Sequence, residues 1–385
     1  MGDFQYQSRT RLIFGNDSID RLGDIARETG GGRVLLVSDP GIVAAGHVAR
    51  ALATLDDAGL NVIVYDAVRE NPTTEDVDAC LETAKDASID LIIGLGGGSS
   101  LDTAKGCNFL LTNGGSIHDY RGVGKATKPM LPLIAIPTTA GTGSEFQSYA
   151  LIADVVSHQK MACGDPKAAP AVAILDPTLT ISQPDQVTKC TGIDAVSHAV
   201  ETAVTRPRNP ISAMFATTAF KLIEANFESV LAVPGELEVR SGMLLGAAYA
   251  GTAIENSMLG AAHSAANPLT AHYDLIHGQA VGMMLPCVVD YNRRDPTACR
   301  HYAELAVAAG LAAAVDSAES AAEKLADRLR CLTAAAGFPS SLAVCGVTDD
   351  AIPALAEEAA NQWTAQFNPR EIGTAEFEAL YRKVM

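Results

Sequence analysis

The chain has 385 residues, of which 48% are hydrophobic and 19% charged, and its 45 acidic against 28 basic residues give a net charge of −17. This length allows two globular domains of ordinary size. A strongly negative field repels nucleic acid and anionic lipid, so neither is an expected partner. We find no signal-peptide pattern and no apolar run of membrane-spanning length. Eight scattered cysteines without a C-x-x-C pair predict reduced thiols and a cytoplasmic location.

The first half of the chain alternates short apolar runs with helical patterns. Helices are predicted from the Asp39-Pro40-Gly41 turn to about residue 58 and over residues 74–87, the latter with Thr74 as its N-cap. Strands are predicted at residues 33–38, 61–65, 91–95 and 133–136. Alternating strands and helices predict an α/β domain with a mostly parallel sheet that is covered on both faces.

The pattern changes after residue 177, where long alanine-rich helical segments replace the strands. The clearest segments are residues 185–204, 211–227, 240–256, 277–290, 299–310 and 316–336. We therefore predict an α/β domain over residues 1–181 and an all-helical domain over residues 182–385. A cleft between two such domains is the expected place for a site.

Two glycine-rich loops follow predicted strands. The stretch 94–100 (GLGGGSS) precedes a helix, so its backbone N–H groups and the helix dipole could hold a phosphate. A tight strand-to-helix turn without a ligand is the alternative. Residues 137–145 (PTTAGTGSE) form the second loop. Two such loops on neighbouring strand ends favour one elongated anionic ligand.

Asp39 follows the first strong strand and has two interpretations. A carboxylate at this place accepts hydrogen bonds from the adenosine ribose and repels a 2′-phosphate, which favours NAD over NADP. Asp39 is equally well explained as the first residue of a D-P-G turn.

Four further residues have the chemistry of a metal site. Asp194 and His198 are four residues apart in a helical pattern with small and apolar neighbours. Alone, this pair is better explained as an ordinary hydrogen bond along a helix. His263 and His277, each in an apolar or glycine-rich context, change the balance: one carboxylate and three imidazoles suit Fe(II) or Zn(II) and leave a position open for substrate. His272 competes as a ligand or proton relay.

Four motifs in this order resemble the iron-containing alcohol dehydrogenases, which are related to dehydroquinate synthase. They are GGGSSLDTAK (96–105), PTTAGTGSE (137–145), GIDAVSHAVE (192–201) and HGQAVGMMLP (277–286). The resemblance implies that Asp194, His198, His263 and His277 bind iron, with zinc as the alternative. It also implies cofactor contacts from Asp39, Asn71, Gly97, Gly98, Ser99, Asp102, Thr138, Thr139, Thr142, Lys160 and Leu179.

One position departs from the family pattern. Asn267 stands where the family often has a second histidine near the nicotinamide, four residues after the third ligand. An amide can donate a hydrogen bond but does not titrate near neutral pH. The expected proton route therefore passes through His272, or through water and a ribose hydroxyl.

The sequence thus predicts a metal-dependent, NAD-linked dehydrogenase that interconverts a small alcohol and its aldehyde or ketone, in a homodimer or larger homo-oligomer. A metal-free reductase of the maleylacetate reductase type and a lyase like dehydroquinate synthase, which uses NAD transiently, are the enzymatic alternatives. A non-catalytic nucleotide-binding protein would require four ligand-type residues by coincidence.

Overall fold

The computed structural model describes residues 4–156 and 160–385. It divides into two compact units, one of residues 7–183 and the other mainly of residues 184–385. In the described part of the chain, no helix is both long enough and apolar enough to cross a membrane.

The first unit is an α/β structure. Its strands are β1 (Arg11–Phe14), β2 (Arg33–Val37), β3 (Asn61–Tyr65), β4 (Leu91–Gly96), β5 (Gly122–Val123), β6 (Leu133–Pro137), β7 (Tyr149–Ala153), β8 (Lys160–Gly164) and β9 (Val172–Leu175). Its helices are α1 (Leu22–Glu28), α2 (Pro40–Ala44), α3 (His47–Asp57), α4 (Thr74–Ala84) and α5 (Gly98–Asn113).

A parallel sheet forms the centre of this unit. Among the described residues it has six strands in the order β1-β9-β6-β4-β2-β3, and every pairing is parallel. Alternate residues of β2 enter different apolar clusters: Val34 and Leu36 pack with side chains of α1 and α3, whereas Leu35 packs with side chains of α4 and α5. Burial on both faces explains why these strands are continuous apolar runs, and it confirms the predicted α/β class.

Several local predictions are corrected. The helix predicted from the Asp39 turn to residue 58 is two helices, because Gly46 between them has φ +82°, in the left-handed region. The N-cap of α4 is Thr73 and not Thr74, since Thr73 and Asp76 form a reciprocal capping box. Strands β1, β5, β7, β8 and β9 were not predicted; β5, β7 and β8 form a separate three-stranded sheet.

The described residues of the second unit form only helices and loops, which confirms the predicted all-α class. The helices are α6 (Asp185–Thr202), α7 (Pro210–Ala232), α8 (Leu237–Glu255), α9 (Ala261–Tyr273), α10 (His277–Asn292), α11 (Pro296–Ala308), α12 (Ala318–Ala335), α13 (Ile352–Ala360) and α14 (Thr374–Val384).

Glycines allow α6 and α10 to approach closely. A Cβ atom on Gly278, the second residue of α10, would lie 2.0 Å from the carbonyl oxygen of Cys190 in α6. Farther along α10, a Cβ on Gly282 would lie 2.4 Å from the Ile193 side chain. The first contact involves backbone, which has little freedom to move, so the spacing of these two helices depends on Gly278.

We therefore predict that Gly278→Ala destabilises the helical unit by about 1–3 kcal/mol, because one methyl group must be forced between two backbones. Thermal unfolding should show a midpoint several degrees lower than that of the unchanged protein. The control is Gly235→Ala, because a Cβ at that exposed glycine meets nothing within 4 Å. Equal midpoints for the two variants would contradict the close approach.

Candidate metal centre and cofactor loops

Three helices of the second unit bring the predicted metal ligands together. Asp194 and His198 lie one turn apart on α6, His263 is the third residue of α9, and His277 is the first residue of α10. The side chains of Asp194, His198 and His263 are nearly completely buried, and that of His277 is 25% exposed. Residues that are 83 positions apart in the sequence thus share one cluster.

One carboxylate oxygen is the centre of this cluster. The Oδ1 atom of Asp194 lies 3.4 Å from Nε2 of His198, 3.5 Å from Nε2 of His263 and 3.8 Å from Nε2 of His277. The rings of His198 and His263 stack with centroids 4.9 Å apart. Ligand atoms of Asp194, His263 and His277 all lie within 4.8 Å of one another. All three imidazoles therefore direct the same ring nitrogen toward a common point.

These separations fit a metal ion better than a hydrogen-bond network. Protein hydrogen bonds of this type span about 2.7–3.2 Å. Ligand atoms about 2.1 Å from one ion, in contrast, lie about 3.0–3.6 Å apart for angles of 90–120° at the metal. Within the described residues, Asp194 Oδ1 and His263 Nε2 are buried and have no hydrogen-bond partner. Two buried polar atoms left in this state are costly unless a cation satisfies them both.

The electrostatics of the cluster favour a positive charge. Burial opposes ionisation of Asp194, but His198, with His263 and His277, holds the pKa of this carboxyl below its ordinary value. Burial likewise opposes protonation of His263, yet Asp194 and Glu201 raise the pKa of this imidazole to about 9. A site that attracts a proton so strongly also attracts a divalent cation, which competes for the same nitrogen lone pairs.

Glu201 is the contact that sequence reasoning missed. Its Oε2 atom lies 2.5 Å from Nδ1 of His263, on the side of the ring that faces away from Asp194. Glu201 is buried and follows Asp194 by seven residues, so Asp194, His198 and Glu201 all lie on one face of α6. Glu201 could have been identified from the sequence by this spacing of three ionisable residues along one face of an apolar helix.

Two residues that bear on the predicted proton route, Asn267 and His272, lie farther along α9 than His263. His272 follows His263 by nine residues, about 13 Å along the helix axis. Its side chain is half exposed, and its Nε2 atom bonds to the Glu358 carboxylate at 2.9 Å. The Nδ2 atom of Asn267 donates to Gln362 Oε1 at 3.0 Å. His272 thus bonds to a carboxylate outside the ligand cluster, and Asn267 bonds to another amide.

In the α/β unit, the structure brings the two predicted cofactor loops side by side. The amide of Thr138 donates to the carbonyl of Gly96 at 2.9 Å. A Cβ atom on Gly98 would lie 2.7 Å from the Thr142 side chain, and one on Gly97 would lie 3.4 Å from Thr139. Helix α5 begins here after Gly97, and no side chain of the described residues caps it. The start of α5, at the carboxyl end of β4, therefore presents backbone N–H groups without a side-chain cap, as phosphate binding requires, and the second loop lies beside it.

Asp39 is the N-cap of α2, as its turn context allowed, and it also contacts the glycine loop, whereas its binding of the ribose stays a prediction. Its Oδ1 atom caps α2 by accepting from the amides of Gly41 and Ile42, at 2.9 and 3.1 Å. Its Oδ2 atom accepts from Ser100 Oγ at 3.1 Å, which joins Asp39 to the glycine loop. Gly96 is required beside it, because its φ is +150° and a Cβ would lie 3.0 Å from Asp39 Oδ2.

The remaining predicted cofactor residues have different surroundings. The amide of Asn71 donates to Ser99 Oγ at 3.3 Å. Asp102 is buried and accepts from Ser144 Oγ at 2.7 Å; burial raises the pKa of its carboxyl, and the charges of Lys105 and Lys160 oppose that rise. Leu179 is completely buried in the apolar cluster on the α1 and α3 face of the sheet.

A buried lysine supports the second loop, and sequence reasoning did not assign it this function. Lys105 Nζ donates to the carbonyl and the hydroxyl of Ser144, both at 2.7 Å, and to the carbonyl of Tyr149 at 2.9 Å. It also lies 3.7 Å from Asp102 Oδ1. Burial raises the pKa of neighbouring Glu145 to about 7. The hydrogen bonds of Lys105 fix the end of the second loop against α5.

Known proteins match this chain along nearly its full length. A family model described as iron-containing alcohol dehydrogenase matches residues 9–177, and one for the C-terminal part of the Fe-containing alcohol dehydrogenase family matches residues 188–385. The chain is 34% identical over 358 residues to the NAD-dependent methanol dehydrogenase of Bacillus methanolicus, covering 93% of each chain. It is 33% identical over 383 residues to the 1,3-propanediol dehydrogenase of Citrobacter freundii, covering 99% of this chain and 98% of the other. A crystal structure of 1,3-propanediol oxidoreductase matches with a TM-score of 0.96 at 32% identity, covering 100% of both chains.

We predict that Asp194→Asn abolishes stable metal binding, because it removes the single carboxylate that faces all three imidazoles. Protein reconstituted anaerobically with Fe(II) or Zn(II), desalted and analysed by elemental mass spectrometry should retain almost no metal. His272→Gln is the matched control and should retain as much metal as the unchanged protein. An Asp194→Asn variant that keeps one tightly bound ion per chain would contradict the assignment of this cluster.

Proposed function

The chain belongs to the iron-containing alcohol dehydrogenase family, and we propose that it is a metal-dependent, NAD-linked dehydrogenase of small alcohols. The reaction is reversible: alcohol and NAD⁺ give an aldehyde or ketone, NADH and a proton. The observation that carries this proposal is the Asp194 oxygen that faces three imidazole nitrogens and makes no hydrogen bond within the described part of the chain.

Asp194, His198, His263 and His277 hold the metal, with Fe(II) as the proposed ion and Zn(II) as the alternative. Three neutral imidazoles and one carboxylate suit either ion and leave a coordination position for substrate. A divalent cation at this place supplies Lewis acidity, which stabilises negative charge on the substrate oxygen. The burial of Asp194, His198 and His263 limits competition by water for the same cation.

The two glycine-rich loops of the α/β unit bind NAD. The backbone of Gly97 and Gly98, at the start of α5, accepts the pyrophosphate, and the hydroxyls of Ser99, Thr138, Thr139 and Thr142 add hydrogen bonds. Asp39 accepts from the adenosine ribose. Asn71, Asp102, Lys160 and Leu179 complete the proposed set. NAD supplies the nicotinamide that exchanges hydride with the carbinol carbon.

The proposed substrates are small, uncharged alcohols and the aldehydes or ketones formed from them. The relatives named above act, by their names, on methanol and on 1,3-propanediol, at nearly equal identity to this chain. No Lys or Arg occurs between residues 190 and 205 or between residues 241 and 292, the segments that carry the four ligands. These segments therefore offer no basic side chain to a strongly anionic substrate. Assembly as a homodimer or larger homo-oligomer stays a prediction.

One experiment separates this function from its alternatives. Metal-free protein is reconstituted anaerobically with Fe(II) or Zn(II), and NADH absorbance is followed with a series of primary alcohols and their aldehydes. We expect turnover only in the presence of metal, and loss of turnover but not of NADH binding in His277→Ala. Full activity after chelation would indicate a metal-free reductase. The absence of net NADH formation with every alcohol, despite bound metal and NAD, would favour a lyase.

The dinucleotide preference depends on the carboxylate of Asp39. We predict that Asp39→Gly raises kcat/KM for NADP⁺ at least ~10-fold relative to NAD⁺, because it removes the negative charge that repels a 2′-phosphate. Asp20→Gly is the control, since Asp20 pairs with Arg50 on the surface of the same unit. Kinetics with both dinucleotides measure the ratio, and an unchanged ratio would assign Asp39 to the helix cap alone.

A further inference from the structure

Both carboxylate oxygens of Glu201 are committed to α9. Oε1 accepts from the amide of Ala262 at 2.6 Å, and Oε2 lies 2.5 Å from Nδ1 of His263. The Glu201 side chain is only 4% exposed. A buried carboxylate is stable only where donors satisfy it, and here two adjacent residues of one helix supply those donors.

The start of α9 is built to receive this carboxylate. Gly260, the N-cap residue, has no side chain that could satisfy the first amides of the helix. Glu201 instead reaches across from α6 and accepts from the second residue of α9. A Cβ atom on Gly260 would lie 3.1 Å from Glu201 Oε1, so the glycine leaves the space that the carboxylate occupies.

The contact with His263 determines which ring nitrogen carries the proton. A carboxylate oxygen only accepts hydrogen bonds, so Nδ1 of His263 keeps its hydrogen, and Nε2 is the nitrogen that gives up its proton when a metal binds. Nε2 is the atom that lies 3.5 Å from Asp194 Oδ1 and has no hydrogen-bond partner among the residues that the structure describes. The ring therefore presents its acceptor nitrogen to the ligand cluster.

We propose that Glu201 is the positioning residue of the metal centre: it caps α9, orients the His263 ring and fixes the tautomer whose Nε2 atom binds the metal. This inference rests on the metal-dependent function proposed above. A carboxylate behind a ligating imidazole also increases the basicity of the ring, and loss of such a partner typically lowers metal affinity about 10- to 100-fold.

Glu201→Gln tests this role without a change in side-chain size. The amide has one oxygen and one NH₂ group, so it cannot accept from Ala262 and His263 with both of its ends. If the oxygen keeps the Ala262 amide, the NH₂ group faces Nδ1 of His263 and forces the proton onto Nε2. If the amide is reversed, the helix cap is lost. Either arrangement damages the site. Glu201→Asp keeps the negative charge, but the aspartate side chain is too short to retain both contacts at full strength.

Metal affinity is the main measurement. Metal-free protein is titrated with Co(II) against a chelator while the visible Co(II) spectrum reports the ligand geometry. We expect the apparent Kd to rise about 10- to 100-fold in Glu201→Gln, with a partial recovery in Glu201→Asp. NADH binding should stay unchanged. The matched control is Glu358→Gln, because Glu358 also bonds a histidine, His272, outside the metal cluster.

A second measurement uses the unchanged protein, so that poor folding of a variant does not decide the outcome. In Zn(II)-loaded protein with ¹⁵N-labelled histidine, His263 should retain a proton on Nδ1 and show a metal-shifted Nε2. Native affinity and spectrum in Glu201→Gln, or a His263 without a proton on Nδ1, would overturn the proposal. Failure of the unchanged protein to bind Co(II) or Zn(II) would instead overturn the metal-dependent function.

Discussion

The helical unit depends on one electrostatic constraint: the buried Oδ1 atom of Asp194 faces three imidazoles, and no described residue gives it a hydrogen bond. An ionised carboxylate in such a place costs several kcal/mol unless positive charge compensates it. A divalent cation among four ligands provides that compensation and satisfies the ring nitrogens at the same time. The arrangement is therefore easier to explain as a binding site than as part of a core.

The packing of the helices places the histidines around that oxygen. His277 begins α10 directly before Gly278, whose missing side chain allows contact with the backbone of α6. His263 lies in the first turn of α9, which Glu201 holds by two hydrogen bonds. The ligand positions are thus fixed at helix starts and along one rigid helix, where small residues permit close approach. The α/β unit uses glycine in a different way, to expose backbone N–H groups where two parallel strands end.

Much of the fold could be predicted from the sequence, because buried parallel strands and alanine-rich helices have strong sequence patterns. The cluster of one carboxylate and three imidazoles could also be predicted, since Asp194 and His198 are four residues apart and His263 and His277 stand in apolar segments. Glu201 was missed because its partner is 62 residues away, and only the crossing of α6 and α9 brings them together. The short strand β1 was missed because its pairing with β9 is long-range and its own pattern is weak. His272 looked suitable by type, but its distance along α9 separates it from the ligands.

X-ray absorption spectroscopy of the metal-loaded protein tests the central claim most directly. Three imidazoles and one carboxylate predict a first shell of nitrogen and oxygen only, at about 2.0–2.2 Å, with the multiple scattering of three histidine rings. A sulfur shell at about 2.3 Å, or scattering from fewer than two imidazoles, would contradict the metal centre proposed for Asp194, His198, His263 and His277.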